Sequence, residues 1–250
     1  RVIALFREEL GYRYLGNWTD RDGNSNVDEG LLSAWLTGSG YTQAQIAVAL
    51  HRLRTEADNH SRTLYGNNQA VYKLLRYGVP VKTEAGKVTE TVHLFDWDQP
   101  ERNDFAIAEE VTLRGNHERR PDGVIYVNGI AIGTLELKNS RVSIGDGIRQ
   151  LLSNQQQEFN AWFFATIQIV FAGNDSEGLQ YGTIGTPEKY FLKWKEDEAD
   201  DSRFKLDKYL LKLCEKRRLI ELMHDFVLFD GGIKKLPRVH QYFGIKAAQG

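Results

Sequence analysis

The chain has 250 residues, 41% hydrophobic and 26% charged, with 32 Lys and Arg set against 34 Asp and Glu for a formal net charge of −2. This is the make-up of a globular domain with a sizeable core; it argues against a wholly basic nucleic-acid coat, so any DNA contact must use local patches. A single cysteine, Cys214, rules out an internal disulfide framework, and with no membrane-length apolar run and no signal-peptide pattern the expectation is a cytoplasmic protein with no membrane partner.

The chain opens on an amphipathic stretch, Val2 to Leu10, stopped by Gly11, and the aromatics of 12–15 suggest a strand after it. Asn26-Val27-Asp28-Glu29 reads as a helix start, a cap followed three residues on by Glu, with the helix running to about Leu36. Glu29 is also a candidate metal ligand, although the capping role is simpler. Thr42 and Gln45 repeat the capping pattern at the head of a second helix to about Glu56, and a third helix near Asn68 to Tyr77 stops at Gly78. Residues 1–78 are therefore expected to be mostly helical, and no chemistry is read in them.

Val79-Pro80-Val81 reads as the beginning of the sheet, followed by a partly alternating stretch from Lys87 to Phe95 and a polar turn region, 96–103. A strand is expected over Asp104 to Leu113, with Glu109 and Glu110 running toward the next element, one of them a candidate to approach a metal there, with solvent-facing acids on an edge as the equal alternative. That element is a β-hairpin: Val124 to Val127 and Ile130 to Leu137 are branched and aromatic, and Asn128-Gly129 between them is a strong turn signal. Asp122 stands at its mouth, and Glu136 and Lys138, two apart, point to one face. Charges in a largely apolar strand are costly without partners, and a divalent cation is such a partner. Asp122 and Glu136 supply hard oxygens of the type Mg2+ prefers, and Lys138 beside them can orient a water or offset charge on a phosphate. The plainer alternative is a surface hairpin with an exposed Glu136–Lys138 pair.

The hairpin also sets a geometric condition. A two-residue turn carried unbroken to the mouth pairs residues whose numbers sum to 257, which puts Asp122 and Glu136 on opposite faces. Both carboxylates reach one metal only if the register changes, most simply through a three-residue loop with a glycine-assisted bulge, or through a bulge near Gly123 or Gly133, or if Asp122 lies beyond the paired region.

Beyond the hairpin, a polar loop over 139–143 precedes a helix expected from Gly145 to about Phe159. The apolar run Trp162 to Gly173 reads as a strand covered on both faces, set beside the Glu136 strand by the crossover. A short strand, Leu179 to Ile184, and a core segment with Phe191 and Trp194 follow. Residues 195–202 are charged and small; Phe204 to Phe226 is periodic like a helix, with Lys and Arg at 205, 208, 212, 216, 217 and 218 as the wet side of that helix or a basic face over DNA, the former being simpler.

Pro121-Asp122, thirteen intervening residues, then Glu136-Leu137-Lys138 resembles the PD-(D/E)xK nuclease signature. The longer string, from Asn103-Asp104-Phe105 through Arg120-Pro121-Asp122 to Leu135-Glu136-Leu137-Lys138-Asn139, is similar to the N-terminal nuclease domain of type I restriction endonuclease motor subunits. The resemblance implies a restriction-endonuclease-like α/β fold: a mixed central sheet flanked by helices, with helical N- and C-terminal elaborations. It implies a nuclease core over 79–195, a helical linker over 196–235 and the start of an ATP-dependent motor over 236–250. It further implies a Mg2+-dependent endonuclease acting on double-stranded DNA, with metal ligands Asp122 and Glu136, catalytic Lys138 and Gln150, and methyltransferase and specificity subunits as partners that supply sequence recognition. Family members carry Gln-x-x-x-Tyr on the helix after the Glu-x-Lys strand; here Gln150 is followed four positions on by Asn154. In the family a segment like Arg238-Val239-His240-Gln241-Tyr242 uses a Gln to read the adenine of ATP, so Gln241 is the expected nucleotide contact of the full-length protein. No phosphate-cradling G-x-x-x-x-G-K-[ST] pattern occurs in these 250 residues. Two rival readings stand beside this one: a non-catalytic docking module between motor and methyltransferase, and a free-standing repair nuclease of the same fold.

Overall fold

In a computed structural model that describes residues 1–249, the chain is built around one mixed seven-stranded sheet. Among the described residues eight α-helices accompany it: α1 (Val2–Ala4), which runs into a single π-turn, α2 (Glu29–Gly38), α3 (Gln43–Ala57), α4 (Leu64–Tyr77), α5 (Ile144–Asn154), α6 (Lys205–Leu213), α7 (Lys216–Asp225) and α8 (Val239–Gln249). The strands are β1 (Arg13–Asn17), β2 (Val79–Val81), β3 (Glu90–Val92), β4 (Phe105–Glu109), β5 (Gly123–Val127), β6 (Ile130–Leu137), β7 (Ile169–Asn174), β8 (Gly178–Gly182), β9 (Leu192–Lys193), β10 (Leu228–Asp230) and β11 (Ile233–Lys235). The central order is β1-β4-β5-β6-β7-β8-β9, with β1–β4 and β6–β7 parallel and the other neighbours antiparallel.

Strands buried on both faces need cover on both, and two apolar clusters supply it. One packs Leu32, Leu53, Val71 and Leu74 of the early helices, and Leu210 and Leu219 of the late ones, against Ile125, Ile132, Leu135 and Phe171. The other packs Ile144, Ile148 and Leu151 of α5, with Phe163 and Phe164, against Val124, Tyr126, Val170 and Ala172. The α/β layering and the placement of β7 beside the Glu136 strand through the α5 crossover agree with the sequence reading.

Several boundaries differ. Val79–Val81 does not begin the central sheet: β2 pairs only with β3, as a separate two-stranded ribbon. The edge strand comes instead from the first twenty residues, where β1 lies parallel to β4, a long-range pairing that no local pattern encodes. The regular strand expected to Leu113 ends at Glu109, where Glu110 turns to φ 51° and the backbone beyond keeps isolated contacts with 119–122. Helix α2 is capped by Asp28, whose carboxylate accepts the Leu31 amide at 3.0 Å, because Asn26 donates its side-chain amide to the Trp162 carbonyl instead. The Thr42–Gln45 capping box forms as read.

Helix α5 stops at Asn154 rather than Phe159, and Ala161–Ala165 is a 3-10 turn, so the following strand starts only at Ile169. The periodic stretch from Phe204 is two helices, broken where the Glu215 carboxylate accepts the Arg217 and Arg218 amides. Its basic residues are largely engaged within the fold: Lys208 donates to the Asp197 and Asp200 carbonyls, Lys212 pairs with Asp197, Lys216 donates to the Gly11 carbonyl, and Arg217 and Arg218 pair with Glu101 and Glu196.

Candidate functional site

The site grows from the register of β5 and β6. Asn128 (φ 54°) and Gly129 (φ 81°) both take left-handed conformations, as a tight two-residue hairpin turn requires. From it, Val127 pairs with Ile130 and Tyr126 with Ala131, both sums being 257. The next pairs are Ile125 with Gly133, Val124 with Thr134 and Gly123 with Leu135, all summing to 258. Ile132 is the extra residue, a β-bulge beside Gly133. Its effect is visible in the packing: Ile130 and Ile132 share a core with Leu135, so the parity of the strand flips between 132 and 135. The flip turns Glu136 toward the face that α5 covers, where Val124 also points, and one step beyond Gly123 the shifted register sets Asp122 opposite Glu136. The geometric condition drawn from the sequence is met.

Asp122 reaches across the strand pair, its Oδ2 accepting the Leu137 amide at 2.6 Å. Burial raises its pKa, opposed chiefly by that amide. Glu136 is 1% exposed. Its Oε1 accepts from Lys138 Nζ at 2.8 Å, while its Oε2 is buried with no protein donor. Burial first, and then the charge of Asp122, push its pKa up to about 7, against the pull of Lys138. Lys138 Nζ also donates to Gln150 Oε1 at 2.7 Å, so the helix residue expected to reach the site does reach it. Gly147, one turn earlier on α5, lies against the side-chain carbons of Glu136 and Lys138 and lets the helix approach that closely. Asp122, Glu136, Lys138 and Gln150 thus form one constellation.

The other candidates fall elsewhere. Glu29 pairs with Arg54 at the head of α2, which packs against Gly129 at the turn end of the hairpin, roughly 15 Å or more from the mouth at a strand rise of about 3.3 Å per residue. It is not a ligand of this site. Glu110 stands nearer: it pairs with Arg120 at 2.8 Å, and its charge adds to the upward shift of Glu136. Glu109 instead accepts the Tyr14 hydroxyl. Asn154 is fully buried at the end of α5 and makes no hydrogen bond with the Lys138–Gln150 pair; its side-chain amide has no protein partner. Gln241 is exposed on the first turn of α8, its Oε1 accepting the Arg238 amide at 2.8 Å, and is not part of the carboxylate site. Sequence reasoning missed Gly147 and the Glu110–Arg120 pair; the first has no signal apart from its spacing to Gln150, and the second depends on a backbone turn.

A divalent cation suits these residues on their own chemistry. A half-buried and a buried carboxylate, Asp122 and Glu136, lie together, the buried one keeps an oxygen without a donor, and the one ammonium in contact leaves that oxygen free. A hard cation would satisfy the free oxygen and relieve the repulsion that raises Glu136.

Residues 1–189 match the family model of the type I restriction enzyme R protein N terminus. Over 247 residues the chain is 26% identical to a putative type I restriction enzyme MjaIXP endonuclease subunit of Methanocaldococcus jannaschii, covering 87% of this chain and 22% of that protein. It is 29% identical over 199 residues to the type I restriction enzyme HindI endonuclease subunit of Haemophilus influenzae, covering 72% of this chain and 19% of that one. The chain therefore spans about a fifth of the length of these relatives. With the model matching most of its residues, the chain belongs to the type I restriction enzyme R protein N-terminal family.

Proposed function

We propose that this chain is the Mg2+-dependent DNA endonuclease domain of a type I restriction enzyme R subunit, hydrolysing phosphodiesters of double-stranded DNA without sequence specificity of its own. The observation that carries the reading is the bulge at Ile132, which costs one ladder pairing and gathers Asp122, Glu136 and Lys138 on one face. A structural hairpin gains nothing from burying a carboxylate with a free oxygen, so the docking-module alternative leaves that arrangement without a cause.

In this reading Asp122 and Glu136 hold the metal, which supplies Lewis-acid activation of the phosphate and a more acidic water. Lys138, held by Glu136 Oε1 and Gln150, would present a proton donor and positive charge to the phosphate oxygens. Gln150 is a positioning residue for Lys138. The helix α5 backbone and the strand faces exclude water from the rear of the site. ATP would serve the motor whose start is read over 236–250, with Gln241 as its adenine contact, and methyltransferase and specificity subunits supply the recognition sequence.

Supercoiled-plasmid cleavage by the full-length subunit assembled with its partners tests this. Lys138→Ala is expected to lower cleavage by a factor of roughly a hundred to a thousand while ATP hydrolysis persists. Unchanged cleavage would favour the docking module.

A further inference from the structure

Next to the carboxylates, and unused by the mechanism above, stands a cationic platform built on an aromatic ring. The β4–β5 connection continues past the sheet as an irregular ribbon, with Val111 N donating to the Pro121 carbonyl and Leu113 and Arg119 exchanging backbone hydrogen bonds. At its tip the Arg119 guanidinium lies over the Phe159 ring, 3.9 Å from the centroid, and the His117 ring packs on the same Phe159 with centroids 5.4 Å apart. Among the described residues Arg119 has no carboxylate partner, and its one side-chain hydrogen bond is a long 3.4 Å contact to the neighbouring Glu118 carbonyl. The tip is anchored: a Cβ at Gly115 would lie 3.1 Å from both the Phe159 carbonyl and Asn160 Nδ2. Asn160 is wholly buried beneath it with both side-chain polar atoms unpartnered. A guanidinium held flat on a ring, its edge donors free, is pre-oriented for an anion, and little rotamer entropy remains to be lost on binding.

Its position gives the anion's identity. Arg119 stands three residues before Asp122 on one extended segment, a reach of about 10 Å along the strand. The loop that follows β6 carries the exposed Arg141, which has no ion-pair partner among the described residues. Arg119 thus lies on the segment that runs into Asp122, and Arg141 on the loop that leaves Glu136 and Lys138. The neighbouring Arg120 and Arg149, by contrast, are held by Glu110, Asp146 and Glu188.

We propose that Arg119, stacked on Phe159, is the contact for a backbone phosphate of the strand being cut, adjoining the phosphate at the metal carboxylates. The proposal rests on the nuclease reading and names the substrate contact that reading lacks. Arg119 contributes to DNA affinity and strand placement and takes no part in the chemical step.

The test is fluorescence anisotropy of the full 250-residue chain with a short duplex, without divalent metal, across a salt series. Arg119→Ala is expected to weaken binding several-fold and to reduce the slope of log Kd against log salt by about one, the loss of one phosphate contact. Phe159→Leu keeps the charge but removes the platform, so it is expected to weaken binding with the slope retained. Mg2+ binding by Arg119→Ala, read by calorimetry, should match the parent's, which separates this proposal from the nuclease reading. An unchanged slope in Arg119→Ala, or no DNA binding by the parent chain at low salt, overturns the proposal and leaves the nuclease reading, which is tested by the Mg2+ titration, intact.

Discussion

The two ends of the β5–β6 hairpin bury polar side chains equally deeply and treat them in opposite ways. At the turn end, Asn128 is wholly buried and fully used: its amide nitrogen donates to the Leu94 carbonyl at 2.9 Å and to Asn103 Oδ1 at 2.8 Å, and its oxygen accepts the Asp104 amide at 2.7 Å. At the mouth, Glu136 is as buried but keeps Oε2 without a donor and faces a second carboxylate across the strands. A buried polar group whose every valence is met holds a fold together. One whose valence is left open costs stability and marks where something else binds.

The sharpest break of the comparison is at the satisfied end. Asn128→Ala leaves the Leu94 carbonyl and the Asp104 amide without their side-chain partner, removes one of the two donors to Asn103 Oδ1, and puts a non-Gly, non-Asn residue at positive φ, so a loss of about 3 kcal/mol is expected in denaturant unfolding. Cleavage measured well below the unfolding transition should be near the parent's, since the turn is remote from the mouth.

At the open end the opposite sign is expected. Glu136 titrates near 4.5 when unfolded and near 7 in the fold, so the folded state holds its proton more tightly. Metal-free stability is therefore fully present below pH about 4.5 and declines as pH rises through about 7. Glu136→Gln escapes that decline and should be more stable than the parent by on the order of 1–3 kcal/mol at pH 8, with no advantage at pH 4. Thermal unfolding at the two pH values reads it directly. A variant less stable than the parent at pH 8 would mean that the carboxylate is as well satisfied as Asn128.

The smallest effect concerns Gln150. Truncation to Ala frees one Lys138 hydrogen bond at a half-buried position, so a loss of cleavage of roughly tenfold is expected, partly recovered by Gln150→Glu, which keeps an acceptor. No change would place Gln150 among ordinary helix-surface residues.

How far each end could be read from the sequence follows from how local its signals are. The turn was legible because Asn-Gly encodes its own backbone, and the need for a register change was legible because two carboxylates on opposite faces cannot share an ion. The bulge position itself follows from packing: only the cores around Ile132 and Leu135 decide which residue is extra. Asn128's role was not legible, since its partners lie 24 to 34 residues away. The same holds for β1, whose partner is β4, and for the start of α2, where Asn26 and Asp28 are both good caps until the Trp162 carbonyl claims one of them. The break between α6 and α7 was masked because leucines on both sides keep helical spacing, and only the Glu215 carboxylate turned back on the next two amides marks it. Among the site residues, the Glu-x-Lys spacing carried Glu136 and Lys138, whereas Glu29 failed as a ligand because a helix start adjacent to the hairpin in space adjoins its wrong end.

The central claim is that the open valence of Glu136, facing Asp122, is a divalent-metal site. Isothermal calorimetry with Mg2+ on the parent, Asp122→Ala and Asn128→Ala tests it most directly, repeated at pH 6, 7 and 8. The account predicts one ion bound by the parent, with affinity rising several-fold to tenfold per pH unit below about 7 and levelling above it as the Glu136 proton ceases to compete. Asn128→Ala should bind as the parent does, and Asp122→Ala should show no binding heat. Equal Mg2+ binding by the parent and Asp122→Ala would contradict it.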